Sequence, residues 1–372
     1  MAIDSGARAR LDFLDAARGT AALVVLLEHG LHTCVLDYLA FSRANVIIGQ
    51  AAVLVFFLVS GFVVPMSLEG GHFARFWVRR FFRLFPVYWL SIAVALAYAI
   101  AGGRGLAVPL ADTGTWAANV FLLQSWLKRP HVWEVFWTLP YELCLYAACS
   151  LLVAGRVLDR FGVRHFVGIV GVVTVAGMWR AAVEGKPSHV DGVRQSVIFC
   201  CLIGLLAYRY ATGRVGRAAF YGALGTLAAS IVLVWSVNRL LFPADVSPTE
   251  LARVAGLGGL AVAFFLALLE ARHRRMPAVA CWLGRRSYPI YLLHPFVVLL
   301  VPISWPAWVF MPCLVAGTLL LAAAAHRLVE RPGIALGRWL ELQAETVRGL
   351  LRTRRWKVGI RIRGVLAVGR WR

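Results

Sequence analysis

The chain has 372 residues, of which 60% are hydrophobic and 15% charged, with a mean hydropathy of +0.73 and a formal net charge of +21. A soluble domain averages about half apolar and a quarter charged residues, so this composition excludes an ordinary soluble protein and predicts an all-α polytopic membrane protein. The seven cysteines lie in or beside apolar stretches without CxxC spacing, which suggests neither a disulfide framework nor a zinc site.

With about 20 mainly apolar residues per crossing, the sequence predicts about ten transmembrane helices. They fall over 13–34, 46–67, 83–102, 134–154, 165–183, 195–211, 218–237, 254–270, 288–304 and 308–326. An N-terminus in the cytoplasm puts Arg8, Arg10, the clusters Arg75–Arg83, Arg156–Arg164, Arg209–Arg217 and Arg272–Arg286, and everything from Arg327 onward, on one side. That side then holds roughly three times as many cations as the other, so the positive-inside rule sets both termini in the cytoplasm. Cations gathered at span ends argue against a nucleic-acid partner and for anionic lipids at the cytoplasmic face or an anionic cytoplasmic cosubstrate. No cleavable signal peptide and no internal repeat is apparent. The reading is a membrane domain over 1–333 followed by a basic tail over 334–372 that rests on the membrane surface. Between the third and fourth spans, WAANVFLLQSW predicts a short aromatic helix at the outer interface.

The first span, LDAARGTAALVVLLEHG, keeps Arg18 near its start and Glu28 and His29 in its far half. An ionisable group at mid-bilayer costs roughly 3 kcal/mol or more and therefore tends to face a protein interior or a water-filled cavity. The step from Arg18 to His29 covers roughly 16 Å of helix and returns to the same face. His29 reads as a general base or as a helix–helix hydrogen-bonding group. A metal site from His29, His32 and Asp37 matches no firm signature, and no metal is expected.

At the entry to the third span, FARFWVRRFFRLFPVYWL repeats Arg75, Arg79, Arg80 and Arg83 at helical spacing. Such a stripe either sets topology or meets phosphate oxygens, which guanidinium forks match. The fourth span opens on VFWTLPYELCLY, where Trp137 and Pro140 precede Glu142. Proline removes a backbone donor and a carboxyl at this depth needs a partner, so Glu142 is either structural or a proton-handling and orienting group. In RRSYPIYLLHPFVV, Tyr288 and His294 are polar positions of the ninth span, and His294 is either a hydrogen-bonded core histidine or a proton carrier.

Taken in this order, LDAARGTAALVVLLEHG, VFFLVSGFVV, FWVRRFFRLFPVYW, VFWTLPYELCLY, SYPIYLLHPFVV and LVERP resemble the acyltransferase-3 family of integral membrane acyltransferases, over about residues 11–333. The resemblance implies a multi-pass enzyme of the cell (inner) membrane with about ten spans. Its donor is cytoplasmic acyl-CoA, most often acetyl-CoA, and its acceptor a hydroxyl on a saccharide, glycan, lipid-linked saccharide or small natural product. It implies that Arg18 and His29 form the family's basic-residue-and-histidine motif, with His29 catalytic, and that Arg80 and Arg83 meet the coenzyme A phosphates. Glu142 and His294 stand at family positions, and Glu330 and Pro332 close the domain. Glu28, Thr20 and the Pro140–Tyr141 pair depart from the family pattern. On this reading the pantetheine arm follows the Arg18–His29 stripe, His29 takes the acceptor proton, and Glu28 or Glu142 fixes its tautomer. The competing reading is a transporter or flippase of a saccharide or lipid, which also buries Arg, His and Glu but often shows a repeat symmetry this sequence lacks.

Overall fold

The computed structural model describes residues 5–44, 48–103, 106, 108–110, 112–185, 192–242 and 248–346, and these are all-α. In chain order the helices are α1 (Ser5–Cys34), α2 (Tyr38–Ala44), α3 (Ile48–Leu68), α4 (Phe73–Ile100), α5 (Thr113–Val120), α6 (Thr138–Ala154, entered through a 3-10 turn at Glu134–Trp137), α7 (Val157–Arg160), α8 (Val163–Glu184), α9 (Gly192–Ala211), α10 (Arg217–Leu241), α11 (Pro248–Glu270), α12 (Ala278–Leu300) and α13 (from Ala307). α1, α3, α4, α6 and α8 to α13 coincide with the ten predicted spans. Among the described residues six stretches are long and apolar enough to cross a membrane: α3, α4, α6 with its 3-10 turn, α8, α10 and α13. α1 and α12 are not among them, because they carry Asp15, Arg18 and Glu28, and Arg285, Arg286 and His294.

Several helices start ahead of the predicted spans, α4 and α12 by the most. α4 begins at Phe73 and α12 at Ala278, each about ten residues before the predicted span. Apolar content locates the hydrocarbon crossing, whereas the arginine-rich turns ahead of it stay helical because their apolar residues recur on one packed face. The predicted aromatic helix is half realised. α5 runs only to Val120, capped by Asp112, whose carboxylate accepts from the Thr115 N–H at 2.9 Å and hydroxyl at 2.6 Å. Those two donors hold Asp112 below the usual carboxylate range. Beyond α5 the chain turns through Leu122 at φ 58°, and the Asn119 side chain bonds Pro130 O (3.0 Å) and Val132 N (3.0 Å).

α13 is one helix from Ala307 to Thr346 with a π turn at His326–Glu330. There the Arg331 N–H reaches back to the His326 carbonyl, next to Pro332, which has no N–H to offer. Past the turn the helix lies on α4. Arg79 grips Glu341 with two hydrogen bonds (2.8 and 3.0 Å), and Arg75 bonds Glu341 and Glu345. Residues 334–346 of the expected tail are thus packed helix, and 347–372 lie outside the described residues.

Two glycine crossings set the core. A Cβ on Gly19 of α1 would strike the Ala280 carbonyl of α12, and one on Gly284 of α12 would strike the Asp15 carbonyl of α1. α3 and α9 cross in the same reciprocal way, Gly61 against the Cys201 carbonyl and Gly204 against the Leu58 carbonyl. Small residues let membrane helices approach to backbone contact, where packing rather than water exclusion drives association. α8 and α10 lie outside this core, with Val172, Val175 and Trp179 largely exposed, as a lipid-facing surface requires.

Candidate active site

The α1–α12 crossing positions the polar groups. A cavity of about 730 Å³, its open mouth included, is lined by Arg18 of α1, Arg80 and Arg83 of α4, Glu142 and Tyr146 of α6, and Ser287, Tyr288 and Tyr291 of α12, with α3 supplying an apolar wall that includes Phe56, Phe57 and Ser60. Arg18, Asp15, Arg83, Arg80 and Glu142 act on one another electrostatically. Three guanidinium groups against two carboxyl groups leave the chamber positive. Four of the lining side chains are held in place. Arg80 lies over the rings of Phe76 (5.4 Å) and Tyr146 (5.1 Å) and donates to Ser67 Oγ at 3.2 Å. Glu142 accepts from the Tyr146 hydroxyl. Tyr288 donates to the Leu84 carbonyl at 3.0 Å and Tyr291 to the Val135 carbonyl at 3.1 Å.

Ser287, Tyr291 and His294 follow one another on a single face of α12, and that face leads from the cavity to two imidazoles in contact. His29 Nδ1 and His294 Nε2 are 2.7 Å apart, with ring centroids at 4.9 Å. His294 is fully buried, and its Nδ1 lies 3.2 Å from the Ile290 carbonyl. A carbonyl only accepts, so with both rings neutral the His294 proton sits on Nδ1 and its Nε2 is a lone pair. That lone pair accepts the Nδ1–H of His29, and His29 Nε2 is left unprotonated and without a hydrogen-bond partner among the described residues. The network assigns the tautomers and exposes a basic nitrogen on a half-buried ring.

The carboxylates expected to orient His29 are engaged elsewhere. Glu28, 3% exposed, accepts from the Tyr38 hydroxyl at 2.9 Å, and its other oxygen lies 3.2 Å from His32 Nε2, at ion-pair distance but off the hydrogen-bond direction. The same His32 nitrogen lies 2.9 Å from Ser42 Oγ, so no relay runs through that ring. Glu142 bonds Tyr146 in the cavity, and the orienting contact to His29 comes from His294. Trp137 packs edge-on against Tyr141 (5.9 Å) and is not part of the cavity wall.

The arginine stripe on α4 divides. Arg80 and Arg83 face the cavity, whereas Arg75 and Arg79 pair with Glu341 and Glu345. Sequence reasoning does not find Glu134, an exposed carboxylate in the 3-10 turn before α6 whose charge acts on both His29 and His131. Burial pushes His131, in the loop before α6, below its ordinary pKa, and Glu134 opposes the shift. His29 and His32 stack, centroids 6.4 Å apart, and among the described residues no group of three His, Cys, Asp or Glu is placed to hold a metal ion.

Comparison with known proteins gives a consistent result. The family described as "Acyltransferase domain" matches residues 11–327. The chain is 26% identical over 330 residues to "Nodulation protein 10" of Rhizobium leguminosarum bv. viciae, covering 78% of this chain and 84% of that one. It is 28% identical over 323 residues to "Exopolysaccharide production protein ExoZ" of Rhizobium meliloti (strain 1021), covering 78% and 91%. It is 26% identical over 361 residues to "Putative peptidoglycan O-acetyltransferase YrhL" of Bacillus subtilis (strain 168), covering 86% of this chain and 54% of that one. No solved structure matches the chain.

Proposed function

From the premise that this chain belongs to the acyltransferase-3 family, we propose that it moves an acyl group, acetyl in the first instance, from cytoplasmic acyl-CoA to a hydroxyl of a saccharide or glycan. Family membership sets aside the transporter reading, since the chain is an acyltransferase. The single observation that carries the mechanism is the ordered pair His29–His294, which leaves one basic nitrogen at the end of the stripe that begins at Arg18.

In this proposal the donor phosphates lie on Arg80 and Arg83 at the basic, cytoplasmic end, and the pantetheine arm passes Arg18 toward the histidines. His29 Nε2 takes the proton of the acceptor hydroxyl as its oxygen attacks the thioester carbonyl. The carbon–sulfur bond then breaks, and the departing thiolate takes that proton from the imidazolium to give free coenzyme A. General-base assistance of this kind contributes about 10²–10⁴ in rate. His294 acts as a positioning residue, because its Nε2 accepts the His29 Nδ1–H and offsets the transient positive charge. A polysaccharide acceptor is supported by the names of ExoZ and YrhL, and the outward end of the site carries Glu134 and His131 where a polar acceptor would enter.

Two measurements test the function together. The purified protein in proteoliposomes should release free coenzyme A from acetyl-CoA only when a saccharide acceptor is present. Mass spectrometry of envelope glycans and extractable saccharides should show one acyl mass lost when the protein is removed from cells. Absence of both a lost acyl mass and acceptor-dependent thiol release would refute the reading.

A further inference from the structure

A second cavity, about 850 Å³ with its open mouth, lies at the basic end and is lined by residues of four helices and their loops, among them Glu69, Gly71, Arg156, Asp159, Arg209 and Arg214. Its enclosed space, about 370 Å³, is in the range of small-molecule sites. Its charges are unequally committed. Arg209, 7% exposed, donates to the Phe161 carbonyl at 2.8 Å and to the Asp159 carbonyl, so backbone oxygens position it without neutralising it. Arg214 pairs with Glu69 at 2.6 Å. Burial pushes Glu69 up, but hydrogen bonds from Tyr208 and Arg214 bring it below the usual carboxylate range, so that pair stays ionised. Arg156 bonds the Val153 carbonyl through its backbone N–H at 2.9 Å, its side chain has no hydrogen bond or ion pair to another described residue, and with Asp159 set against Arg209 the cavity holds one cation in excess.

Arg156 is also one of four described non-glycine residues with positive φ, and the one that lines this cavity. It follows Gly155 at the end of α6 in the left-handed region, at φ 55° and ψ 18°. Helix ends usually fill that position with glycine. Here the glycine stands one residue earlier, in an ordinary conformation, and a long cationic side chain occupies the strained place beside the cavity. Non-glycine residues held in this region cluster at functional sites.

The two cavities lie along the same two helices. On α3 the first is lined by residues up to Val63 and the second by Pro65 and Leu68; on α6 the first reaches Tyr146 and the second Val153. Tyr146 and Val153 are two turns apart, roughly 10 Å. Arg80 spans the junction, with its guanidinium on the Tyr146 ring and donating to Ser67.

We propose that the second cavity receives the phosphoadenosine end of the acyl-CoA donor, with Arg156 and a free edge of Arg214 meeting its 3′-phosphate. This rests on the reading of acyl-CoA as donor. A guanidinium carries five N–H donors, so Arg214 keeps some for a ligand while bound to Glu69. The same phosphate chemistry is offered by an anionic lipid headgroup, but the continuity along α3 and α6 favours the donor already assigned to the neighbouring cavity.

The test compares acetyl-CoA with acetyl-dephospho-CoA, which lacks the 3′-phosphate, on the full chain in vesicles with and without phosphatidylglycerol. Arg156→Gly is the informative variant, because glycine relaxes the left-handed backbone while removing the cation. Wild-type protein should show a KM roughly tenfold lower for acetyl-CoA than for the dephospho form, the scale of one charge-assisted hydrogen bond, and Arg156→Gly should lose that advantage. Equal KM values in the wild type, or a ratio unchanged by Arg156→Gly, overturn the docking site alone. A ratio that persists while Arg156→Gly abolishes a phosphatidylglycerol dependence assigns the cavity to a lipid and overturns it also. No coenzyme A release from either donor overturns the donor reading, and the docking site with it.

Discussion

Around Arg18 the α1–α12 pair faces Arg80, Arg83 and Glu142 across open space, whereas about three turns further along α1 the same pair brings two imidazoles into direct contact. The first region is dominated by guanidinium groups, which carry a lasting positive charge. Its charged groups are spread over three helices, with Arg80 steadied by the Phe76 and Tyr146 rings and Ser67, and Glu142 by the Tyr146 hydroxyl. The second is built of imidazole rings, each able to give or accept a proton, locked by one hydrogen bond to each other and one to the Ile290 carbonyl. Permanent charge in a cavity suits binding of an anion. A fixed tautomer with one free lone pair suits taking and returning a proton. The contrast also explains why α1 and α12 carry ionisable groups within long apolar helices and yet cross so closely. Their polar groups are tolerated because Gly19 and Gly284 let the backbones meet and turn those groups toward each other rather than toward lipid.

If that division holds, variants in the two regions should fail differently. His29→Gln should give the largest effect, a fall in kcat of roughly 10²–10⁴ with the protein still folded and extractable from membranes; activity within a few fold of wild type would remove His29 from proton transfer. His294→Leu should come next. It keeps the volume of a fully buried side chain but removes the acceptor for His29 Nδ1–H, and a hydrogen bond to a developing charge is worth about 1.5–3 kcal/mol, so kcat should drop roughly ten- to a hundredfold. His294→Gln, whose amide oxygen can accept the same proton, should recover part of that loss. Equal activity of the two variants would reduce His294 to packing. Arg83→Ala should act on binding, raising the donor KM by roughly tenfold with a smaller change in kcat, and more strongly at low salt where screening is least. A pure kcat effect would break the proposed division of labour.

Much of the fold is legible in the sequence because each long helix contains one apolar run, and α3, α8 and α10 need nothing more to be found. The starts of α4 and α12 are not, since their arginine-rich turns look like loops until a packed partner is known. In the site, the common face of Arg18 and His29 follows from helical periodicity alone. The partner of His29 does not, because His294 lies 265 residues away in sequence and nothing local to either residue encodes the contact. Glu28 is the instructive case. Adjacency in sequence suggests that it serves His29, but neighbours on a helix point about 100° apart, and its carboxylate turns to Tyr38 and His32. Glu134 escapes notice for the opposite reason, being an exposed acid in a short turn that gains meaning only from the fold around it.

The α4 arginines provide the finest test, because four residues of one type on adjacent turns belong to different structures. Arg79 is more than half exposed, and its two hydrogen bonds go to Glu341 on the helix beyond the π turn. A bidentate pair of this geometry is specific, but at an exposed position it contributes only about 0–1 kcal/mol, and Arg75 remains to hold Glu341. Arg79→Ala should therefore leave the donor KM within about twofold of wild type and lower thermal stability only slightly, and Glu341→Gln should do the same. A donor KM raised as far by Arg79→Ala as by Arg83→Ala would mean that the whole stripe binds anions and that its division between cavity and α13 is not functional. A KM change confined to Arg80 and Arg83 would tie donor binding to the two guanidinium groups that share the cavity with Arg18.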